Sequence, residues 1–283
     1  MSFLDRVRVC QAFNPDDYLS FRVDRVRVGW LRPALVEALR KHKNVFAVSP
    51  DGVDLAPHIV GFAERSSAVA AVVRSLIDES ILAGWRNEPY AVGPRFAEPL
   101  FTIDRGAVPP FGIRGYGVHL NGYVRSGGQL SMWIGRRSPT KRIAPNKFDQ
   151  LVAGGQPAGL SPRENLFKEA AEEAALPRGV VEQAVPVGAI TYCTERKDGL
   201  RNDVLFVYDL ELAPDFKPHN TDGELVGFEL LPIAEVMELV RTTDAFKFNC
   251  SLVVIDFLIR HGLIGPEHPE YLDLAAGLHS GRA

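Results

Sequence analysis

The sequence predicts an α+β protein of two domains, a smaller α+β domain over residues 1–113 and a larger one over residues 114–283. The chain has 283 residues, about twice the length of a typical domain. Its 46% hydrophobic and 24% charged residues are typical of globular proteins and exclude disordered, collagen-like and coiled-coil chains. Helical and strand patterns occur in both halves, and a stretch rich in proline and glycine from Glu88 to Gly117 lies between them.

Charge and cysteine content limit the partners of the chain. The net charge of -3 gives no electrostatic footprint for duplex nucleic acid or an anionic membrane. Three widely spaced cysteines, Cys10, Cys193 and Cys250, support neither a disulfide framework nor a structural zinc site. We find no cleavable signal and no apolar run near the roughly 20 residues of a membrane span. We therefore expect a cytoplasmic protein with no nucleic-acid or membrane partner.

The N-terminal half alternates helices and strands. A helix is predicted from Pro33 to His42 and a strand from Val45 to Val48. A second helix is predicted from about Ser66 to Ala83, with Gly84 as its C-terminal glycine. Prolines between Glu88 and Gly117 predict extended backbone there, because proline removes a hydrogen-bond donor and restricts the residue before it.

The C-terminal half begins with a predicted hairpin. Strands from Val118 to Val124 and Leu130 to Ile134 flank Ser126-Gly127-Gly128, which is typical hairpin-turn chemistry. The last residues, Leu278 to Ala283, are expected to fray. Other elements are predicted as strands at Val187 to Tyr192, Val204 to Leu212 and Leu225 to Leu231, and as helices at Ile233 to Val240 and Phe246 to Arg260.

The segment from Gly154 to Leu176 carries the main chemical signal. It begins as a glycine-rich loop and continues as a helix. Ser161, followed three residues later by Glu164, is a capping box, and Pro162 suits the first helical position because its missing N–H is not needed there. The helix is therefore predicted to begin at Pro162 and to end before Pro177.

Glu169, Glu172 and Glu173 lie on one face of this helix, because their i, i+3, i+4 spacing places them within an arc of roughly 100°. Like charges so close repel each other, and a divalent cation among them would offset the repulsion. Carboxylate oxygens favour Mg²⁺ or Mn²⁺. Three glutamates alone favour a solvated acidic face, whereas the loop, cap and spacing together favour a metal site.

The segment resembles the Nudix box, G-x5-E-x7-R-E-U-x-E-E-x-G-U, in which U is aliphatic. Aligned from its C-terminal end, the run Lys168 to Leu176 takes the places of R-E-U-x-E-E-x-G-U, and the three helix glutamates match the motif's metal-binding positions. Lys168 replaces the motif arginine and Ala175 its last glycine. The loop is one residue shorter, so Leu160 falls where the motif has its first glutamate.

Three further segments, Gly117 to Tyr123, Trp133 to Ser138 and Lys147 to Gly155, are similar to the thiamine-pyrophosphokinase-related subgroup of Nudix hydrolases. That subgroup carries an N-terminal domain of unknown function about as long as residues 1–113. The resemblance implies a C-terminal Nudix α/β/α sandwich with a mixed sheet. It also implies hydrolysis of a phosphoanhydride bond, with plant and fungal relatives converting damaged oxo- and oxy-thiamine diphosphates to monophosphates.

The resemblance also implies roles for individual acids. Glu169 and Glu173 are expected as principal metal ligands, and Glu172 as a ligand or as the base that orients water, although spacing does not order these roles. The family commonly adds a carboxylate from outside the box. Glu224, just before a predicted strand, is the best candidate, with an exposed loop acid as the alternative; Asp222 and Glu195 are weaker candidates.

Basic residues are candidates for holding the diphosphate. The stretch Gly135 to Lys147 contains five basic residues and no acidic one. Arg137 and Lys147 are the preferred phosphate-binding candidates there, together with Lys168 of the helix, although a solvated loop would show the same pattern. Two roles stay open for the N-terminal domain, closure over the substrate and contact in a homodimer.

Alternative functions follow from the same box. One is hydrolysis of another nucleoside diphosphate derivative, such as ADP-ribose or a sugar nucleotide. Another is a non-catalytic Nudix module that binds a ligand, which the three retained helix glutamates disfavour. No pattern G-x-x-x-x-G-K-[ST] supports kinase activity. Isopentenyl diphosphate isomerase needs a cysteine ahead of its box, and none lies between Val118 and Gly155.

Overall fold

A computed structural model describes residues 1–281 of the chain. In its N-terminal half, four strands form a sheet in the order β2-β1-β4-β3, with β1 and β4 parallel and the other pairs antiparallel. A separate antiparallel hairpin, β5–β6, follows. The elements are α1 (Phe3–Val9), β1 (Leu19–Val23), β2 (Val26–Leu31), α2 (Pro33–Leu39), β3 (Phe46–Ser49), β4 (Gly52–Leu55), α3 (Phe62–Asp78), β5 (Pro89–Val92) and β6 (Phe101–Asp104).

Aromatic rings form the centre of the N-terminal core. The ring of Phe21 meets those of Phe46, Phe101 and Phe111 edge to face, with ring centroids 5.8, 6.2 and 5.9 Å apart. Edge-to-face contacts match the positive ring edge to the negative ring face and add to the stability gained from burial. The helix predicted from Pro33 and the strand predicted from Val45 are confirmed as α2 and β3.

Helix α3 ends earlier than predicted. It ends at Asp78, because Ser80 adopts a left-handed conformation with φ of 59° and the N–H groups of Ile81 and Leu82 turn back to the carbonyl of Leu76. These bonds satisfy carbonyls that a helix end leaves open. The prediction that Gly84 follows the helix end was therefore wrong.

The C-terminal half contains a mixed sheet. Its strands lie in the order β11-β12-β7-β8-β13, with β10 paired to β7 and β9 to β8. Strands β7 and β12 are parallel, and the other pairs are antiparallel. The elements are β7 (Arg114–Ser126), β8 (Gln129–Arg137), β9 (Phe148–Asp149), β10 (Val152–Gly155), α4 (Pro162–Ala174), α5 (Arg178–Val181), β11 (Val185–Arg196), β12 (Gly199–Glu211), β13 (Leu225–Pro232), α6 (Ile233–Thr242), α7 (Cys250–Arg260) and α8 (Tyr271–Gly277).

Helices cover both faces of this sheet. On one face, Leu166 and Ala170 of α4 share a buried cluster with Val118 and Leu120 of β7. On the other face, Leu205 and Val207 of β12 pack among residues of α6, α7 and α8. The predicted fold class, an α/β/α sandwich with a mixed sheet and a smaller N-terminal α+β domain, is confirmed.

Both ends of the chain pack on the C-terminal half. Phe3 and Val7 of α1 are buried in the same cluster as α7, far from them in sequence. The division of domains at residue 113 stays a prediction. Thr191 donates its N–H to the carbonyl of Leu278, and Gly281 donates to Thr191. Fraying was therefore the wrong prediction for residues 278–281, and residues 282–283 lie outside the described part.

No helix within residues 1–281 is long and apolar enough to cross a membrane.

Candidate active site

Helix α4 begins where the capping box predicted. The Ser161 hydroxyl accepts the N–H of Glu164, and the Glu164 carboxylate accepts the N–H of Ser161 at 2.8 Å. Both bonds satisfy donors that the helix start would leave open. At the other end, Ala175 adopts a left-handed conformation with φ of 51°. This is the position at which the Nudix box has glycine, the residue that adopts such a conformation without strain.

Glu173 is the most deeply buried acid of the helix. Its side chain points toward β10, where its Oε2 accepts the N–H of Ala153 at 2.8 Å, and the residue is only 6% exposed. Burial raises the pKa of Glu173 to about 8, and the nearby carboxylates of Asp149 and Glu169 add to the rise. A carboxylate buried beside other carboxylates is stabilised in its charged form by a cation.

Two acids of the 220–224 loop complete a cluster with Glu173. Carboxylate oxygens of Glu173, Asp222 and Glu224 lie within 4.8 Å of one another. The loop docks on the end of α4, since the Thr221 hydroxyl donates to the Glu172 carbonyl at 2.5 Å. An all-oxygen donor set of this kind fits Mg²⁺ or Mn²⁺ rather than zinc or copper.

The other two box glutamates share a lysine. The Lys168 amine lies 3.0 Å from Glu169 and 2.8 Å from Glu172. The Glu169 side chain is 14% exposed and that of Glu172 is 51% exposed. Burial raises the pKa of Glu169, and the positive charges of Lys168 and Arg105 oppose that rise. The acid roles predicted from the box stay predictions, but the geometry places Glu224 and Asp222 beside Glu173.

The two glycines at the end of β10 make room for different side chains. A Cβ on Gly154 would lie 2.3 Å from the carboxyl carbon of Glu169. A Cβ on Gly155 would lie 1.8 Å from the hydroxyl of Tyr90, which belongs to β5 in the N-terminal half. Real Cβ contacts are essentially never shorter than 3.0 Å. Neither position therefore accepts a larger residue without movement of its neighbour.

The three predicted phosphate-binding residues already have partners. Arg137 is buried, pairs with Asp149 at 2.7 Å and donates to the carbonyl of Ile143 at 2.9 Å, so it holds the 138–147 loop in place. The Lys147 amine donates to the carbonyl of Asp244. Lys168 is held between Glu169 and Glu172. Their role in substrate binding stays a prediction. The weaker acid candidate Glu195 pairs with Arg32, not with the carboxylate cluster.

A cleft of about 860 Å³ separates the N-terminal half from the C-terminal sheet and reaches Ala153 and Glu224. Within residues 1–281, its walls carry four acidic and nine basic side chains, an excess of positive charge that suits an anionic ligand. Several of these lie far from the box in sequence, and no spacing pattern could have identified them. The basic residues are Arg32, Arg86, Arg105, Arg137, Lys141, Arg142, Lys197, Arg201 and Lys247.

A second buried polar cluster lies where the sheet meets α7. Asp149 accepts the thiol of Cys250 and the guanidinium of Arg137, and His119 pairs with Gln150 at 2.9 Å. Burial lowers the pKa of His119 to about 4. Although His119, Asp149 and Cys250 are close enough to share an ion, Arg137 already neutralises the carboxylate. These contacts give His119 a structural role.

Comparisons with known proteins cover nearly the whole chain. A family model described as a domain of unknown function (DUF4743) matches residues 2–115. Nudix hydrolase 20, chloroplastic, of Arabidopsis thaliana is 43% identical over 96% of this chain and 76% of its own length. Nudix hydrolase 24, chloroplastic, of the same plant is 44% identical over 99% of this chain and 78% of its own length. Uncharacterized protein YJR142W of Saccharomyces cerevisiae is 36% identical over 77% of this chain and 68% of its own length.

Proposed function

The chain belongs to the Nudix hydrolase family, and from this premise we propose that it hydrolyses a phosphoanhydride bond of a small-molecule diphosphate with Mg²⁺ or Mn²⁺. The observation that carries the proposal is the cluster of Glu173, Asp222 and Glu224 within 4.8 Å, of which Glu224 lines a basic cleft. A diphosphate substrate requires metal-binding acids beside a cavity lined by basic side chains.

The residues around the cluster have separable tasks in this proposal. Glu173, Asp222 and Glu224 would hold the cation, and the Ala153 N–H orients the Glu173 carboxylate toward them. A bound divalent cation supplies charge neutralisation for the diphosphate and activation of the attacking water. The Lys141 amine lies 2.6 Å from the Glu224 carboxylate, and this ion pair connects the 138–147 loop to the acidic cluster. Glu172, the half-exposed neighbour of Glu173 in α4, is retained as the candidate base.

The proposed substrate is a thiamine diphosphate-like molecule, in particular its oxo- and oxy- damaged forms, with the monophosphate and phosphate as products. The support is the subgroup pattern of the box and the identity of 43–44% over nearly the whole chain to two plant Nudix hydrolases. A cleft of about 860 Å³ is large enough for a drug-sized organic group and its diphosphate. The cytoplasmic location and the homodimer stay predictions.

The test is a substrate panel with divalent metal present. Phosphate release would be measured from thiamine diphosphate and its oxo and oxy analogues, and release of the nucleoside monophosphate from ADP-ribose and sugar nucleotides, with Mg²⁺, with Mn²⁺ and with chelator. Glu173→Gln removes the central carboxylate, and Glu235→Gln, an exposed acid at the start of α6, is its matched control. We expect turnover of the thiamine analogues that Glu173→Gln abolishes and Glu235→Gln preserves.

Other outcomes separate the alternatives. Preference for ADP-ribose or a sugar nucleotide would contradict the thiamine diphosphate-like substrate. The proposal of metal-dependent phosphoanhydride hydrolysis would still stand. Absence of metal-dependent turnover across the panel, with tight binding of one of its members, would favour a non-catalytic ligand-binding module.

A further inference from the structure

The N-terminal half of the chain touches the Nudix-box loop directly. The N–H of Ala158 in that loop donates to the carbonyl of Pro89 at 2.8 Å. Next to this bond, the hydroxyl of Tyr90 lies in the space that a side chain on Gly155 would occupy. Tyr90 is 6% exposed, so this contact is a packed one. The loop before α4 is therefore shaped by residues from outside the C-terminal domain.

A buried aspartate organises the neighbouring turn. Asp104 is 3% exposed, and its carboxylate accepts the backbone N–H groups of Arg86, Glu88 and Gly106 at 2.8 to 3.3 Å. Backbone N–H groups bonded to a charged acceptor form strong bonds. The backbone of Arg105, between Asp104 and Gly106, is further held by a bond from its N–H to the carbonyl of Glu88 at 2.8 Å. The turn thus presents Arg105 at a defined place.

The guanidinium of Arg105 faces the same glycine. Its central carbon lies 3.4 Å from the position of a Cβ on Gly155. Its Nη1 donates to the Glu88 carboxylate at 2.8 Å, whereas its Nε and Nη2 have no hydrogen-bond partner within residues 1–281. The side chain is 52% exposed and lines the basic cleft. A planar guanidinium with donors left over matches the oxygens of a phosphate.

We propose that Arg105 is a substrate-binding residue, and that its free donors hold the diphosphate at the glycine loop. The N-terminal half then completes the active site of its own chain, and Tyr90 positions the loop that Arg105 overlies. This inference rests on the proposed function, because it assigns a residue to the diphosphate of that reaction. It also gives a reason for the joined architecture, since neither half alone carries both Arg105 and the carboxylate cluster.

Two variants and a control test the assignment in the chain of 283 residues. Arg105→Ala removes the donors, Arg105→Lys keeps the charge without the planar fork, and Arg95→Ala changes an exposed arginine of the same half that pairs with Glu98. Three quantities would be measured: KM and kcat for the preferred substrate of the panel, and the dissociation constant of methylenediphosphonate, a diphosphate analogue that cannot be hydrolysed, with Mg²⁺ present.

We expect Arg105→Ala to raise both KM and the methylenediphosphonate dissociation constant by about tenfold or more, the usual size for a charge-assisted contact. Arg105→Lys should recover part of this loss, and Arg95→Ala should match wild type. Values for Arg105→Ala within twofold of wild type would overturn the inference, and loss of turnover in Glu173→Gln would then show that the proposed function still stands. Binding of methylenediphosphonate that depends on Arg105, without turnover of any diphosphate, would support the inference and overturn the function.

Discussion

The carboxylate of Glu169 fills the space that a side chain on Gly154 would need, since an ideal Cβ there would lie 2.3 Å from the Glu169 carboxyl carbon. Gly154 is not in a left-handed conformation, so its backbone would accept another residue. The requirement for glycine comes from the close approach of α4 to β10. The end of the strand and the position of this box glutamate are therefore coupled.

Gly154→Ala should reduce activity more than stability. The added methyl group would clash with the Glu169 side chain from Cγ to the carboxylate, so the whole of this flexible side chain must rotate away, at a cost of about 1–3 kcal/mol in the free energy of unfolding. We expect kcat/KM to fall by about tenfold or more, because small misplacements of catalytic groups are costly. The control is Gly179→Ala in α5, where no atom lies within 4 Å of the new Cβ. Full activity of Gly154→Ala would contradict this account.

Glu224→Gln should weaken metal binding. The substitution preserves the shape of the side chain but removes one negative charge from the cluster with Glu173 and Asp222. We expect the Mg²⁺ dissociation constant to rise by about tenfold or more, as changes around metal sites commonly do. Isothermal titration calorimetry would measure it. Glu229→Gln in β13, the strand that follows Glu224, is the control, because Glu229 pairs with Arg136 instead, and equal effects of both variants would argue against Glu224 as a ligand.

The box helix could be predicted because its signals are local. Ser161, Pro162 and Glu164 define its start, and the spacing of its glutamates depends only on helix geometry. Strand positions in the C-terminal half were also predictable, because alternating and apolar runs are local patterns. Glu224 was a candidate because the family resemblance implies a carboxylate outside the box and this residue directly precedes β13; its role stays a prediction.

Contacts across the two halves could not be predicted in the same way. Tyr90 and Arg105 lie about 50 to 65 residues before the glycine loop, as their numbers show, and only folding brings them together. Helix α1 was missed although Ser2 and Asp5 form a capping box, because its burial against α7 depends on contacts across nearly the whole chain. A short amphipathic segment gains most of its helical stability from such packing.

Metal binding near neutral pH should release protons from Glu173. The pKa of this carboxyl is raised to about 8, mainly by burial, so the group is mostly protonated at pH 7. A metal ligand must be deprotonated, and the apparent affinity of the site for Mg²⁺ should therefore rise as pH rises toward about 8. Calorimetry in buffers of different ionisation enthalpy would detect release of about one proton per site. Glu173→Gln should abolish this release, and unchanged heats across buffers for wild type would contradict the prediction.

Ala175→Gly should stabilise the protein. Ala175 has φ of 51°, a conformation that costs a residue with a Cβ roughly 1–2 kcal/mol. After allowing for the greater freedom of glycine in the unfolded chain, we expect a gain of about 0.5–1 kcal/mol in the free energy of unfolding. Ala171→Gly, the same change at an exposed position inside α4, should instead lose about 1 kcal/mol. Chemical denaturation would measure the free energy of unfolding of both variants. A lower value for Ala175→Gly than for wild type would show that Ala175 is not strained.

Acidification should destabilise the fold through His119. Its folded-state pKa is lowered to about 4 by burial, with the charge of Lys247 adding to the effect, whereas an unfolded histidine titrates near about 6.5. Between these values the unfolded chain binds a proton that the folded chain refuses. The free energy of unfolding should therefore fall as pH drops from about 6.5 to 4, by up to about 3 kcal/mol.

His119→Gln removes the titrating group while keeping a polar partner for Gln150. The variant should lose stability at pH 7.5, because a buried hydrogen bond and its packing change, but its stability should depend less on pH across this window. The pKa of Asp149 is lowered to about 2 by Lys247 and Arg137 despite its burial. Asp149 should therefore change the free energy of unfolding only at lower pH. Urea denaturation from pH 4.5 to 7.5 would compare wild type with His119→Gln and with His58→Gln, whose imidazole is exposed. If the free energy of unfolding falls equally with pH in wild type and in His119→Gln, another group must cause the acid sensitivity.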